Sequence, residues 1–183
     1  VYGRRVAFSL SKELAQRAVT VVSGLATGID AEAHSGCLAA EGRTIGILGC
    51  GLDVVYPRSN RTLYSEISRK GLLVSEYTLG TRPEGFRFPA RNRIIAGLSC
   101  GVVVVEAAKR SGSLITVQCA LEEGREIFAV PGQIDSAKSG GTHWLLQQGA
   151  CLVVSADDII QSLGLQVEGR RKNGNTGNGV QPE

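Results

Sequence analysis

Several residue types on which enzymes and metal sites depend are scarce in this chain. Its 183 residues include no methionine and only two histidines, His34 and His143, and neither has the neighbours of a nucleophile–base pair. There is no Walker A sequence, no HxxxH metal pair and no set of kinase motifs. Hydrolytic chemistry therefore has little support, and we expect no catalytic residue, no metal and no cofactor.

Paired cysteines and long apolar runs are also missing. The cysteines Cys37, Cys50, Cys100, Cys119 and Cys151 lie far apart, without CxxC spacing, each in an apolar run. An odd, scattered set of this kind is typical of reduced thiols and not of a disulfide framework or a metal site. No run is long enough to span a membrane, and we expect no signal peptide. We therefore expect a cytoplasmic protein with no membrane partner.

The bulk composition favours one domain of ordinary size. Hydrophobic residues make up 43% of the chain, enough for a real core. The formal net charge of +3 permits a nucleic-acid partner without requiring one, so any basic footprint must be local. Because the chain begins at Val1 without an initiator methionine, we expect a fragment of a longer protein.

Helical and strand-like segments alternate along the sequence. Helical patterns occupy 4–18, 30–40, 60–70, the segment from Pro89 onward, 114–123, 142–148 and 156–163, and apolar strands occupy 19–23, 44–49, 72–76, 101–107, 126–132 and 151–154. Asp30 is the predicted cap of the second helix, and Ser155 with Asp158 three residues on predicts a capping box for the last helix. Strands apolar along their whole length predict a mostly parallel sheet covered on both faces, a doubly wound, extended Rossmann-like α/β fold over 1–164. A start on a helix suggests that a first strand before Val1 has been lost. The Gly- and Asn-rich segment 165–183 is predicted to be a disordered tail or linker.

Stretch 85–99, GFRFPARNRIIAGLS, concentrates positive charge at a predicted helix start. It holds Arg87, Arg91 and Arg93 with no acid among them, and Pro89 suits the first helical position. Two cations in a first turn cost a few tenths to about 1 kcal/mol each. An anion held by the free N–H groups and the guanidinium groups would offset that cost. A solvated basic face explains the charge equally well.

Three further turns fall at the carboxyl ends of predicted strands, where ligands bind to open parallel sheets. Turn 23–30 (SGLATGID) and turn 49–53 (GCGLD) carry glycines that would let a phosphate approach, although chain reversal explains them too. Turn 110–116 (RSGSLIT) places Ser113 as a candidate helix cap beside two cations. Glu76 and Glu106 end strands and could act as acids or bases. We favour bonds from these carboxylates to the backbone or to nearby arginines.

The wording and order of the segments SGLATGIDAEAH, GCGLDVVYP, FPARNRIIAGLS, VVVVEAAKRSGSLIT and REIFAVPGQI closely resemble the DprA/Smf family of bacterial DNA-processing proteins. The resemblance implies an extended Rossmann domain that binds single-stranded DNA, forms a homodimer and neither cuts DNA nor hydrolyses ATP. It also implies a recombination mediator that loads the recombinase RecA onto incoming strands during natural transformation.

The turns and the resemblance together predict the residues that contact DNA. They are Ser23, Gly24, Thr27, Gly28, Arg87, Phe88, Arg91, Asn92, Arg93, Lys109, Ser111, Gly112, Ser113 and Thr116. Phe86, Phe88 or Tyr77 could stack a base. The chain departs from the family pattern where Thr27 replaces a common arginine, where His143 replaces a common asparagine, and where an arginine usually precedes Tyr2.

Two other functions remain open on this fold. The first is a phosphoribohydrolase-like enzyme that releases a base from a nucleoside monophosphate. Such enzymes carry PGGxGT with a downstream catalytic glutamate, whereas here Pro131 and Gly132 are followed by QID, and no glutamate follows the GGT of 140–142 in the next helix. The second is a sensor that binds a free nucleotide.

Overall fold

The computed structural model of the chain describes residues 1–166. Seven helices and six strands alternate, in the predicted order. The helices are α1 (Tyr2–Gln16), α2 (Ile29–Ala39), α3 (Arg61–Lys70), α4 (Arg87–Gly97), α5 (Ser113–Glu122), α6 (Gly140–Gln147) and α7 (Ala156–Ser162). The strands are β1 (Val21–Ser23), β2 (Thr44–Ile47), β3 (Leu72–Val74), β4 (Gly101–Val104), β5 (Glu126–Ala129) and β6 (Cys151–Leu152). Of the predicted tail 165–183, only Leu165 and Gln166 belong to the described residues, and the rest lies outside them.

All strand pairs are parallel, as predicted, but the strands form two sheets and not one. The first sheet has the order β1-β2-β3 and the second has the order β4-β5-β6. Val22 lies opposite Ile45 in the first sheet, and Val103 lies opposite Phe128 in the second. β1 and β4 are therefore outer strands of their sheets, and a cavity of about 1240 Å³ lies between them.

Alternate residues of β4 and β5 bury their side chains on opposite faces of the second sheet. Phe128 packs with Leu10 and Leu14 of α1 and with Ile159 of α7. Ile127 and its neighbours pack on the other face with residues of α4, α5 and α6. A third core cluster joins α2 and α3 to the end of β2. Helices on both faces of parallel strands confirm the doubly wound Rossmann-like class.

Local signals set several of the element ends. Ser155 and Asp158 form the predicted capping box of α7. Gly124, just after α5, has a φ of 63°, the left-handed conformation expected of a glycine that ends a helix. β2 to β6 end two or three residues earlier than predicted, where the chain enters the loops of the carboxyl edge, and β1 starts two residues later than predicted. No helix among residues 1–166 is long and apolar enough to cross a bilayer.

Candidate functional site

The cations of stretch 85–99 are placed differently from the prediction. α4 begins at Arg87, so Pro89 is its third residue and not its first. Arg91 and Arg93 consequently lie in the second turn, away from the positive end of the helix dipole. Of the three arginines, Arg87 alone occupies the first turn, and Glu84 Oε1 lies 3.6 Å from its Nη2. That carboxylate offsets the unfavourable charge of Arg87.

Arg91 is a buried residue that ties α4 to two strands. It is 5% exposed, and its Nη1 donates to the carbonyl oxygens of Gly24, at 2.8 Å, and of Ile47. Its Nε donates to Asn92 Oδ1 at 3.2 Å. Burial lowers the pKa of Arg91, and the charge of Asp30 opposes that change. The expectation of a free guanidinium in the first turn is wrong for Arg91, because strand-end carbonyls already accept its hydrogen bonds.

The turn after β1 is closed by one of its own residues. Asp30 Oδ2 accepts hydrogen bonds from the N–H groups of Gly24, at 3.1 Å, and Ala26, at 3.3 Å. Asp30 is the second residue of α2, and Gly28, with a φ of 96°, holds the cap position predicted for Asp30. A Cβ on Gly24 would collide with the Arg91 guanidinium. The two glycines thus serve close packing and a left-handed backbone.

An aromatic group stands at the start of α4. The rings of Phe88 and Tyr56 are stacked, with centroids 5.4 Å apart and an interplanar angle of 22°. Gly49 leaves room for this pair, since a Cβ there would lie 2.8 Å from the Phe88 ring. Phe86 is 68% exposed and Tyr56 is 43% exposed. Flat apolar surface of this kind, in contact with solvent, can stack a nucleic-acid base.

Arg87 joins a fourth aromatic residue, Tyr77, to this group. Its Cζ lies 5.1 Å from the ring centroid of Tyr77 and 5.4 Å from that of Phe86, within the range of cation–π attraction. Its Nη1 donates to the carbonyl oxygen of Arg82 at 3.1 Å. Arg87 is therefore held in place between two rings.

Arg93 projects into solvent and pairs with an acid. Its side chain is 60% exposed, and its Nη2 contacts Oε1 of Glu76, whose side chain is 46% exposed. This pairing confirms the expectation that Glu76 bonds to a nearby arginine. An exposed ion pair contributes about 0–1 kcal/mol. The guanidinium of Arg93 can accordingly exchange Glu76 for another anion at little cost.

The turn before α5 is organised by a serine other than the one predicted. Ser113 is the first residue of α5 and Gly112 holds the cap position, so Ser113 is not the cap. Ser111 Oγ instead accepts from the Ser113 N–H at 3.3 Å and lies 2.7 Å from Ser113 Oγ. Lys109 is exposed on the same turn, beside Gly140 of α6. Hydroxyl groups and a cation thus share one short segment.

The cavity between β1 and β4 collects most of the predicted site. Its lining includes Ser23, Thr27, Phe88, Arg91, Asn92, Ser111, Gly112, Ser113 and Thr116. Gly24, Gly28, Arg87, Arg93 and Lys109 are predicted site residues outside that lining. Thr27 is exposed, while Gly24 is buried beneath its own turn. Three of the four predicted turns therefore meet at the cavity. The fourth, 49–53, packs against the ring of Phe88 through Gly49.

Glu106 and the two histidines have partners within the fold. Glu106 Oε1 accepts from the Gly3 N–H at 2.9 Å, as the expectation of a backbone partner required. His143 Nε2 lies 3.1 Å from the carbonyl oxygen of Gly132. His34 is fully buried, with Nδ1 2.7 Å from Thr44 Oγ1, and burial lowers its pKa to about 4. Both histidines thus have the structural environments that the sequence predicts.

Sequence reasoning missed two contributors to the site. Tyr56 becomes the stacking partner of Phe88 across a long sequence separation, and no local pattern announces that pairing. Asp30 was predicted only as a helix cap, although its carboxylate fills the turn that the glycines seemed to open for a phosphate. An acid six residues after the first glycine of such a turn is the signal that could have indicated this closure.

The sequence and the fold identify one family. Residues 1–164 match the family described as DNA recombination-mediator protein A, and the chain belongs to that family. It is 50% identical to protein Smf of Escherichia coli over 163 residues, which are 88% of this chain and 44% of that protein. The chain spans about half the length of the curated relatives it matches.

Two solved structures resemble the fold closely. The X-ray structure of DNA processing protein A from Streptococcus pneumoniae has a TM-score of 0.84 and 46% identity, and covers 90% of this chain and 58% of that one. The protein of the same name from Helicobacter pylori has a TM-score of 0.81 and 32% identity, and covers 88% of this chain and 74% of that one. The Helicobacter pylori structure is described in terms of a single-stranded DNA binding mode.

Proposed function

We propose that this chain binds single-stranded DNA, without sequence preference and without catalysis, along the surface formed by Phe86, Phe88, Arg87, Arg93 and Lys109. Family membership and the DNA-binding mode described for the Helicobacter pylori relative support this proposal. The observation that carries it is the exposed aromatic group with arginines beside it. Aromatic stacking tolerates any base, and cations bind the phosphates between stacked bases.

This surface offers three kinds of contact to DNA: an aromatic ring, a guanidinium group and hydroxyl groups. Phe86, which is 68% exposed, offers its ring to a base. Arg93 offers its guanidinium to a phosphate in place of Glu76, whose ion pair with it is exposed and weak. Ser111 and Ser113 add hydroxyl groups at the cavity mouth, beside Lys109. The DNA strand then follows the carboxyl edge from α4 toward α5.

Fluorescence anisotropy with labelled oligo-dT tests the base contact. Phe86→Ala removes an exposed ring, so we expect binding to weaken about tenfold, within the roughly 1–3 kcal/mol that stacking contributes per base. Ile134→Ala is the matched control, because Ile134 is 94% exposed and apolar but lies in a different loop. Equal affinities for the Phe86 variant and the unaltered chain would contradict the proposed stacking.

The Arg93–Glu76 pair supplies an independent test of the phosphate contact. Glu76→Gln removes the competing carboxylate, so we expect tighter binding of oligo-dT at low salt. Double-stranded DNA of the same length is the control ligand, and we expect it to bind more weakly because its bases are not free to stack. Weaker oligo-dT binding by the Glu76 variant would contradict the exchange of a phosphate for Glu76.

The finer parts of the proposal concern assembly, partner and location. We propose a homodimer in the cytoplasm that loads RecA onto single-stranded DNA during natural transformation. Light scattering measures the oligomeric state, and RecA assembly on DNA coated with a single-strand-binding protein measures loading. Base release from AMP should be negative, since hydrogen bonding to Gly3 and a Lys138 Nζ 3.8 Å away already engage the Glu106 carboxylate.

A further inference from the structure

We infer that Arg4 of α1 is a further DNA-contacting residue, which supplies turn 23–30 with a phosphate-binding cation from a neighbouring helix. This contact rests on the proposed binding of single-stranded DNA and extends its footprint. The DNA strand then lies across the carboxyl edge of the β-strands, from the helix layer that contains α4 to the layer that contains α1. Its phosphates meet cations on both sides of that edge.

The exposed tip of turn 23–30 is held in place but carries no cation. The segment SGLATGID contains neither lysine nor arginine. The Ala26 N–H donates to Asp30 Oδ2 at 3.3 Å, and the Ala26 carbonyl accepts from Asn60 Nδ2 at 3.3 Å. Both backbone polar groups of Ala26 are therefore engaged, and the exposed Thr27 offers a hydroxyl group to solvent. Because a charged donor makes a hydrogen bond roughly twice as strong as a neutral one, a phosphate held firmly at this tip needs a cation from another element.

Arg4 places its guanidinium beside this turn. A Cβ on Gly28 would lie 4.0 Å from Arg4 Nε, and Arg4 is exposed. In the described part of the chain no carboxylate pairs with Arg4, whereas Arg93 must release Glu76 before it binds another anion. Arg4 can therefore bind a phosphate at the tip of the turn without displacing a partner.

The close packing of α1 on α2 fixes the backbone that carries Arg4. A Cβ on Gly36 of α2 would collide with the carbonyl oxygen of Phe8 of α1, so the glycine lets the two helices touch along their backbones. Nearer the start of both helices, Arg4 lies beside Gly28, so α1 and α2 run side by side in the same direction. Arg4 cannot move away from the turn unless this packing opens.

Arg4 also lies between the ends of the two outer strands. The Gly3 N–H donates to Glu106 Oε1 at 2.9 Å, and Glu106 follows directly after the end region of β4. The next residue of α1, Arg4, faces the turn that follows β1. Lys109 is exposed a few residues beyond Glu106. A DNA strand that passes Lys109 can therefore continue along the carboxyl edge to Arg4 and the turn after β1.

Fluorescence anisotropy with labelled oligo-dT, at about 50 and about 200 mM salt, tests this contact. Arg4→Gln removes one phosphate contact, so we expect the slope of log K against log salt to flatten by about 0.7 and the affinity at the lower salt to fall about fivefold or more. Arg5→Gln is the matched control, because Arg5 is exposed on the same helix but points about 100° away around its axis. Since salt screens distant charges, we expect the control to keep the slope and to bind within about twofold of the unaltered chain.

A second pair of variants tests where the cation acts. Thr27→Arg in the Arg4→Gln background returns a guanidinium to the tip of turn 23–30, so we expect the affinity and the slope to recover. Gln16→Arg in the same background returns the same charge at the exposed far end of α1, about 18 Å away along the helix axis. We expect no recovery there, because that distance exceeds the Debye length of about 10 Å at 0.1 M salt.

The outcomes separate a failure of this contact from a failure of the proposed function. An unchanged slope for Arg4→Gln overturns the contact, as does an equal loss for Arg5→Gln, since the bulk charge of α1 would then suffice. Recovery by Thr27→Arg alone supports it, and recovery by Gln16→Arg or by neither variant overturns it. If the unaltered chain does not bind oligo-dT, the proposed function fails as well. If Phe86→Ala weakens binding and Arg4→Gln does not, the role of Arg4 alone is refuted.

Discussion

Arg91 and Arg93 stand two residues apart on α4, and the structure gives them opposite environments. Arg91 is 5% exposed and donates to the Gly24 and Ile47 carbonyls, whereas the Arg93 side chain is 60% exposed and meets only the exposed Glu76 in the part of the chain that is described. Replacing each arginine by glutamine should therefore damage two different properties. Arg91→Gln should lower stability, and Arg93→Gln should lower the salt dependence of DNA binding.

The stability effect follows from the hydrogen bonds of the buried guanidinium. In the Arg91 variant two buried carbonyls lose a charged donor, and each such loss costs about 1–3 kcal/mol. Relief of the desolvated charge offsets part of that cost. We expect a net loss of about 3 kcal/mol in the free energy of unfolding, measured by urea denaturation. Arg91→Lys should recover part of it, because one nitrogen of Arg91, Nη1, makes both bonds and an ammonium also carries several N–H donors, although the bond from Nε to Asn92 is lost.

The binding effect follows from counterion release. For single strands, log K falls with log salt by about 0.7 for each phosphate neutralised. Removing one phosphate contact should flatten the slope by about 0.7. When salt rises fourfold, the factor by which DNA affinity falls should therefore be about 2.6 times smaller for Arg93→Gln than for the unaltered chain. Arg91→Gln, measured at a temperature where it is folded, should keep the original slope. Oligo-dT anisotropy at several salt concentrations measures both.

Two results would refute this reasoning. A flattened slope in a fully folded Arg91 variant would mean that the buried guanidinium reaches a phosphate after all. An unchanged slope in the Arg93 variant would mean that Glu76 keeps its partner when DNA binds. The Phe86 variant keeps every cation, so its slope serves as the reference for a change in affinity without a change in charge.

Three further predictions concern residues behind the binding surface. Burial lowers the pKa of His34 from an ordinary 6.5 to about 4, so between these pH values only the unfolded state takes up a proton at His34. The free energy of unfolding should therefore fall by about 3 kcal/mol as the pH drops from about 6.5 to about 4. Urea denaturation of the His34→Gln variant at the two pH values should lack this part of the decrease. Gly49→Ala places a Cβ 2.8 Å from the Phe88 ring and should cost about 1–3 kcal/mol, less in a Phe88→Leu background; equal costs in a double-mutant cycle would contradict the proposed contact. Asp30→Ala leaves the Gly24 and Ala26 amides without their acceptor and should lower the melting temperature, and an unchanged melting temperature would count against that role.

Sequence periodicity predicts most of this fold, because amphipathic helices and apolar strands carry their burial pattern locally. The run 101–107 and the box formed by Ser155 and Asp158 are of this kind, and the structure confirms a strand at Gly101–Val104 and the capping box. The prediction of a single sheet does not rest on such local signals, and the structure has two sheets. Whether two outer strands meet depends on what lies between them, and neither β1 nor β4 carries that information in its own residues.

The candidate site shows a similar limit. The turns at the carboxyl edge can be found from glycine and charge, since strand ends and helix starts have local signatures. The burial of Arg91 cannot be predicted from local sequence, because it depends on the carbonyls of Gly24 and Ile47, which come from distant parts of the chain. Charge in a sequence identifies a cation and leaves open whether solvent or the protein's own backbone surrounds it.

The packing of α1 has a consequence for synthesis of the chain. Its apolar residues Leu10 and Leu14 bury themselves against Phe128, Val153 and Ile159, which follow much later in the sequence. α2, another partner of α1, comes soon after it in the sequence. The face of α1 that carries Leu10 and Leu14 therefore stays uncovered during synthesis until β5, β6 and α7 emerge. Such long-range closure is slow and leaves apolar surface exposed meanwhile. A chaperone that holds nascent chains would meet this face of α1 during that interval.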